Sequence, residues 1–181
     1  MRRQRVLVVY ASRHGGNRGI AERIATILGG EGLDSRVASV RDKPDPTTAD
    51  ALVIGSGVYF GNWLNEGKRY VRKNTKTLLE RPVWLFSSGP VGPPDEETKR
   101  DAVLGRAVAE LKVLTNPRDH RVFAGAFDPR DSPKTIGERL MRLLPASRDL
   151  LPPGDFREWS AIDAWARAIA REVKQGDAPA R

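Results

Sequence analysis

Val6-Leu7-Val8-Val9-Tyr10-Ala11, running into Ser12-Arg13-His14-Gly15-Gly16-Asn17, is the stretch that decides the fold. Val6 to Tyr10 is apolar at consecutive rather than alternate positions, as a strand covered on both faces requires. A polar, glycine-containing turn follows. Ile20, Ala21, Ile24, Ala25, Ile27 and Leu28 then fall on one helical stripe, which Gly29-Gly30 ends. A doubly buried strand turning at once into an amphipathic helix is the first half of a β-α-β unit.

The same alternation recurs outward from this stretch. Ala51-Leu52-Val53-Ile54-Gly55 and Val83-Trp84-Leu85-Phe86 are two more fully apolar runs, and Arg121 to Phe127 reads as the last strand. Ser35 to Val40 alternates only in part, since Val37 and Val40 are out of phase, so it reads as an edge strand. Arg41 to Asp50 carries two prolines and reads as a loop or one turn of helix. Glu66 to Leu79 reads as a basic helix. A second runs from the acidic start Asp95-Glu96-Glu97 to about Leu114, and a third spans Ala161 to Val173. Five strands joined this way predict an α/β doubly wound five-stranded parallel sheet of order 2-1-3-4-5, with helices on both faces. The expected organisation is one domain over residues 1–173 with an extra segment at 128–156, followed by a tail at 174–181. Within the extra segment a short helix is expected around Ile136 to Leu144.

Composition narrows the chemistry. The 181 residues carry 31 Lys and Arg against 23 Asp and Glu, a formal charge of +8, and 23 of the cations are arginine. Such a surface favours anionic partners. The arginines are spread along every segment rather than gathered on one helix, so nucleic-acid binding is not expected. With no cysteine and two histidines, thiolate chemistry, iron–sulfur clusters and metal sites are not expected either. No apolar run reaches the ~20 residues of a membrane span. The short run ending at Ala11 does not fit a signal peptide, so a cytoplasmic location is expected.

In a sheet of this order, ligands bind at the carboxyl ends of the strands where the winding reverses, so function is expected in three loops. The first, Ser12, Arg13, His14, Gly15, Gly16 and Asn17, offers hydroxyl, guanidinium, imidazole and amide donors at a helix N-terminus. That donor set suits a terminal phosphate. Neither a P-loop nor a G-x-G-x-x-G fingerprint is present. The second, Ser56, Gly57, Val58, Tyr59, Phe60, Gly61, Asn62 and Trp63, sets aromatic rings and glycines beside each other, as a shelf for a planar ligand would. The third runs from Ser87, Ser88 and Gly89 through Pro90 to Val91 and Gly92, and is short, stiff and rich in backbone amides. Phosphate nest, aromatic shelf and amide-rich loop together point to flavin mononucleotide (FMN).

The run from Val6 to Asn17, with Ile20-Ala21 behind it, resembles the phosphate loop of the flavodoxins. Within that superfamily, Ile54 to Gly61, Phe123-Ala124-Gly125-Ala126-Phe127-Asp128 and Trp159 resemble the branch of menaquinone-dependent protoporphyrinogen oxidases. The resemblance spans roughly Val6 to Val173. It implies a flavodoxin-like fold, with FMN phosphate held by Ser12 to Asn17, the isoalloxazine flanked by Ser56 to Trp63, and its other side closed by Ser87 to Gly92. The chain departs from the pattern at Asn17, where threonine or serine is usual, and Arg13 and His14 make its loop more cationic.

The implied function is an FMN-dependent oxidoreductase, passing reducing equivalents from a small anionic substrate to a quinone. Since a flavin carries the redox chemistry, no catalytic side chain is assigned. His120 is expected to lie at the surface, ahead of the last strand. Two alternatives remain open at this point. One is an electron-transfer flavodoxin without its own substrate, which the charge of +8 disfavours. The other is a flavodoxin-fold module that has lost FMN. Lys134, Arg139 and Arg142 among the apolar residues of segment 128–156 read as the solvated face of a helix that covers the sheet's end, with a lid over the flavin or weak contact with a membrane surface as alternatives.

Overall fold

The computed structural model describes residues 2–59, 61–89, 108–127 and 154–176. Its centre is a parallel sheet of five strands: β1 (Arg5–Ala11), β2 (Asp34–Ser39), β3 (Ala51–Tyr59), β5 (Val83–Gly89) and β6 (Asp119–Ala124). A two-residue strand, β4 (Asn62–Trp63), folds back antiparallel on the end of β3. The strands lie in the order β2-β1-β3-β5-β6, which is the expected 2-1-3-4-5 when the five parallel strands are counted alone. Val8 pairs with Val37 on one side and Val53 on the other, and Ile54 pairs with Leu85.

Consecutive apolar residues in each central strand serve two cores. Val6, Val8, Val53, Trp84 and Phe86 point to one face, where α1 (Gly16–Gly30) and the C-terminal helix (Trp159–Gln175) bring Ile20, Ile24, Leu28, Ile162, Trp165 and Ile169. Leu7, Val9, Leu52, Ile54 and Leu85 point to the other, under α2 (Asn65–Leu79) and the helical residues 108–115, which we label α3. The C-terminal helix is α4. Each face removes a comparable set of large aliphatic and aromatic side chains from water, at ~1.5–3 kcal/mol per side chain.

Two glycines show how tightly these layers close. A Cβ at Gly55 would overlap the ring of Phe86, which lies across the sheet and meets Phe123 and Trp165. A Cβ at Gly67 would stand 3.2 Å from that of Ala11, so α2 sits close on the carboxyl end of β1.

Several boundaries differ from the sequence reading. β3 and β5 continue through Ser56–Tyr59 and Ser87–Gly89, residues expected to be loop, because they pair with each other: Ser56 with Ser87 and Gly57 with Ser88. The last strand is two pieces. β6 stops at Ala124, and Ala126–Phe127 (β7) leaves the sheet to pair antiparallel with Gly154–Asp155 (β8). Residues 40–42 and 46–48 form short 3-10 turns, and α4 runs on to Gln175, two residues past its expected end at Val173. The start of the acidic helix at Asp95 and the short helix expected around 136–144 lie outside the described residues.

Candidate cofactor site

The carboxyl ends of β1 and β3 meet where the winding reverses, and the first two expected loops lie there side by side. Gly15 stands in the left-handed region at φ 82°, which swings the chain from the strand into α1. It is the N-cap residue of that helix, with no side chain capping it, and the first turn contains no acid. The opening amides of α1 and the positive end of its dipole are therefore left for an anion. The space where a Cβ of Gly15 would stand has no atom within 4 Å.

Asn17 is buried at 5% exposure, and its Nδ2 donates to Ala11 O at 3.2 Å, tying the turn to the strand it leaves. Its Oδ1 is also buried and finds no donor among the described residues. Such an orphan acceptor in a native fold calls for a ligand hydroxyl or a water. Across the gap, a Cβ at Gly57 would stand 2.9 Å from Asn17 Nδ2 and 3.0 Å from the ring of Tyr59. Glycine is thus what lets the second segment approach the first. The Tyr59 ring is half-buried, with the Arg13 guanidinium 4.7 Å from its centroid.

The remaining expected residues divide into two groups. Ser56 is fully buried; its hydroxyl donates to Gly57 O and accepts from Leu64 N, fixing the passage from β3 to α2. Val58 lies in the core, and Gly61, at φ 73°, makes the turn between β3 and β4. Trp63 also lies in the core, 1% exposed, and its Nε1 donates to Ser87 Oγ at 2.8 Å. That bond joins the second loop to the third, while Tyr59 is the described aromatic of the shelf nearer the mouth. Ser88 and Gly89 end β5 against Gly125, where a Cβ would stand 2.7 Å from Gly89 O. Phe60, Val91 and Gly92 lie outside the described residues.

Two residues with part-buried polar contacts escaped the sequence reading. His120 is not a surface residue ahead of the strand; it is half-buried inside β6, its Nε2 2.9 Å from Ser87 Oγ. Burial, with a smaller push from Lys112, lowers the imidazole from 6.5 to about 4 against the pull of Asp119. It is therefore neutral, and Ser87 can donate its hydroxyl hydrogen to Nε2 while accepting from Trp63. Arg157, just after β8, donates from Nη1 to Gly16 O at 3.3 Å, in the first turn of α1. In the sequence, only the two-residue spacing of His120 from Val122 marked the first, and nothing local marked the second.

A family model described as Flavodoxin domain matches residues 7–131. The chain belongs to the flavodoxin domain family. Solved structures agree on the fold: an archaeal flavodoxin superposes with a TM-score of 0.59 at 16% identity, covering 94% of this chain and 99% of that one. A Streptococcus pneumoniae flavodoxin gives 0.58 at 18%, covering 93% and 99%. Among curated proteins, the protoporphyrinogen IX dehydrogenase [quinone] of Escherichia coli K12 is 25% identical over 176 residues, covering 92% of this chain and 94% of that protein.

Flavodoxin domains bind FMN. The residues here fit that group. The uncapped N-terminus of α1 suits a phosphate dianion, the orphan Asn17 Oδ1 suits a ribityl hydroxyl, and Gly57 and Tyr59 leave an edge with one aromatic face. Among the described residues no group of three or more His, Asp or Glu could hold a metal ion.

Proposed function

We propose that this flavodoxin domain is an FMN-dependent oxidoreductase that takes reducing equivalents from a small, carboxylated substrate of the protoporphyrinogen type and delivers them to a quinone. The observation that carries this reading is the likeness to the Escherichia coli quinone-linked dehydrogenase, which runs along 92% of the chain. The charge supports it as well: a protein at +8 with Arg13 at the mouth of its site is suited to an anionic substrate.

Bound FMN supplies the two-electron redox chemistry itself. The chain's own residues bind and orient. The opening amides of α1, with the turn from Ser12 to Asn17, would hold the phosphate end, where each charge-assisted donor contributes ~1.5–3 kcal/mol. Tyr59 and the backbone of Gly57, Val58 and Gly61 would flank the ring, and the end of β5 at Ser88 and Gly89 would close the other side. Arg13, stacked on Tyr59, presents a cation where a substrate carboxylate would enter. No described helix is long and apolar enough to cross a membrane, so a membrane-borne quinone would be met at the bilayer surface, by weak contact of the basic exterior.

The test is anaerobic oxidation of protoporphyrinogen by the FMN-loaded protein with menadione as acceptor, followed by protoporphyrin fluorescence. Turnover that depends on FMN and quinone is expected. A chain that holds FMN and exchanges electrons with redox dyes, yet leaves protoporphyrinogen unchanged, refutes the substrate assignment.

A further inference from the structure

Arg157 lies beyond the stretch that matches the family, and 141 residues along the chain from its partner Gly16. Its guanidinium is held from three directions. Nε and Nη2 grip the two carboxylate oxygens of Asp155 at 2.7 and 2.6 Å, the plane stacks 4.4 Å above the Trp159 ring, and Nη1 reaches Gly16 O. The side chain is only 16% exposed. A Cβ at Gly19 would come within 2.5 Å of Nη1, so glycine at that position is what admits the guanidinium against the first turn of α1. Three of its five N–H donors are used among the described residues.

The placement is electrostatically odd. A helix N-terminus carries positive partial charge, and cations are ordinarily favoured at the other end. Here a largely buried arginine is packed against an N-terminus that has no acid in its first turn and no capping side chain. Asp155 offsets that charge through Nε and Nη2 without removing the dipole, so a further anion at the turn is stabilised by the helix and by the N–H groups of the guanidinium that Asp155 does not use. The β7–β8 pairing brings the arginine there: Gly154–Asp155 is held on Ala126–Phe127, and a Cβ at Gly16 would lie 3.8 Å from Ala126 N.

We infer that Arg157 is a positioning residue which, seated on Gly16 and Gly19 by Asp155 and Trp159, completes the phosphate end of the site from the C-terminal part of the chain and sets its preference for the phosphorylated flavin. The inference rests on FMN occupying this site. It makes the anion preference a property of two distant segments, the turn at 12–17 and the return at 154–159, rather than of the turn alone.

The test compares binding of FMN and riboflavin to the purified full chain by quenching of flavin fluorescence, since riboflavin shares ring and ribityl chain and lacks the phosphate. Arg157→Met keeps the stem over Trp159 and removes the charge. It is expected to weaken FMN about tenfold, to leave riboflavin within about twofold, and to flatten the salt dependence of FMN binding. Arg157→Lys, with charge but no fork, is expected to recover part of the loss. If the Met variant does not fold, Gly19→Ala serves instead. It favours the helix intrinsically yet displaces the guanidinium, so the ratio of FMN to riboflavin affinity should fall several-fold with no drop in melting temperature. Equal loss of both flavins, or an unchanged ratio in the Met and Ala variants, overturns the inference and leaves the cofactor reading standing. A wild-type chain that takes up neither flavin refutes the cofactor reading and the inference with it.

Discussion

Protonating His120 should progressively destabilise this protein in mildly acid solution. Trp63 Nε1 is a donor only, so Ser87 Oγ accepts from it at 2.8 Å and, with the imidazole neutral, can turn its own hydrogen toward His120 Nε2 at 2.9 Å. That chain of bonds uses the tautomer in which Nε2 is bare. Once protonated, Nε2 and Trp63 Nε1 would both point donors at one oxygen, in a half-buried site with Lys112 close enough to oppose the new charge and only Asp119 to favour it. The unfolded chain takes up this proton near 6.5, the folded one not until about 4. Between those values the unfolded state binds more protons, so stability is full above 6.5 and falls as the pH drops toward 4.

The gap at ~1.4 kcal/mol per pH unit sets a ceiling of ~3.4 kcal/mol. Because the imidazole is only half-buried and partly screened, we expect about 2 kcal/mol. Urea unfolding of the wild type and His120→Gln between pH 7.5 and 4 isolates the effect, since glutamine still accepts from Ser87 and does not titrate. Carboxylates common to both proteins, such as Asp50 held down to about 2 by Arg5, cancel in the difference. The wild type should lose its advantage over the variant by about that amount across the window. A difference that stays flat with pH, or an imidazole resonance titrating near 6.5, would refute the reasoning.

Two further predictions concern β3. Gly55→Ala puts a methyl into the Phe86 ring, whose neighbours Phe123 and Trp165 leave it little room to turn; overpacking of this kind costs ~1–3 kcal/mol. The melting temperature should fall by several degrees and partly recover when Phe86→Leu is added, whereas an unchanged melting curve would mean the ring moves freely. Tyr59→Ala strips the ring from beneath Arg13 and beside Gly57, and should weaken FMN about tenfold and shift its reduction potential. Titration of the apoprotein together with a redox titration reads both, and no change in either places the flavin ring elsewhere.

What was legible in the sequence depended on whether the responsible forces act locally. Val6 to Tyr10 could be read because a strand under helices on both faces must be apolar at successive positions, and the α1 stripe because its period belongs to one helix. Ser56-Gly57-Val58 misled for a physical reason: small residues look like a turn, but here they continue β3, with Ser56 kept small because α2 packs so close at Gly67 that a Cβ there would stand 3.4 Å from that of Ser56, and Gly57 because it must admit Asn17 and Tyr59. Ser87-Ser88-Gly89 misled in the same way, being the matching end of β5.

The polar contacts of His120 and Arg157 were not legible because their partners are distant in the chain. His120 is 33 residues from Ser87, and nothing in Asp119-His120-Arg121 shows that the middle side chain turns inward. Arg157 is further still from Gly16, and its own neighbourhood offers a complete explanation for it in Asp155 and Trp159. Gly19 is the counterpart. As a helix residue it costs ~1 kcal/mol relative to alanine, a cost that its own segment does not explain. The cost makes sense only once the guanidinium from the far end of the chain is seen lying against it. A glycine that weakens a helix without turning the chain is therefore a sign of something packed there, and in this protein that something is the one buried arginine beside the α1 N-terminus among the described residues.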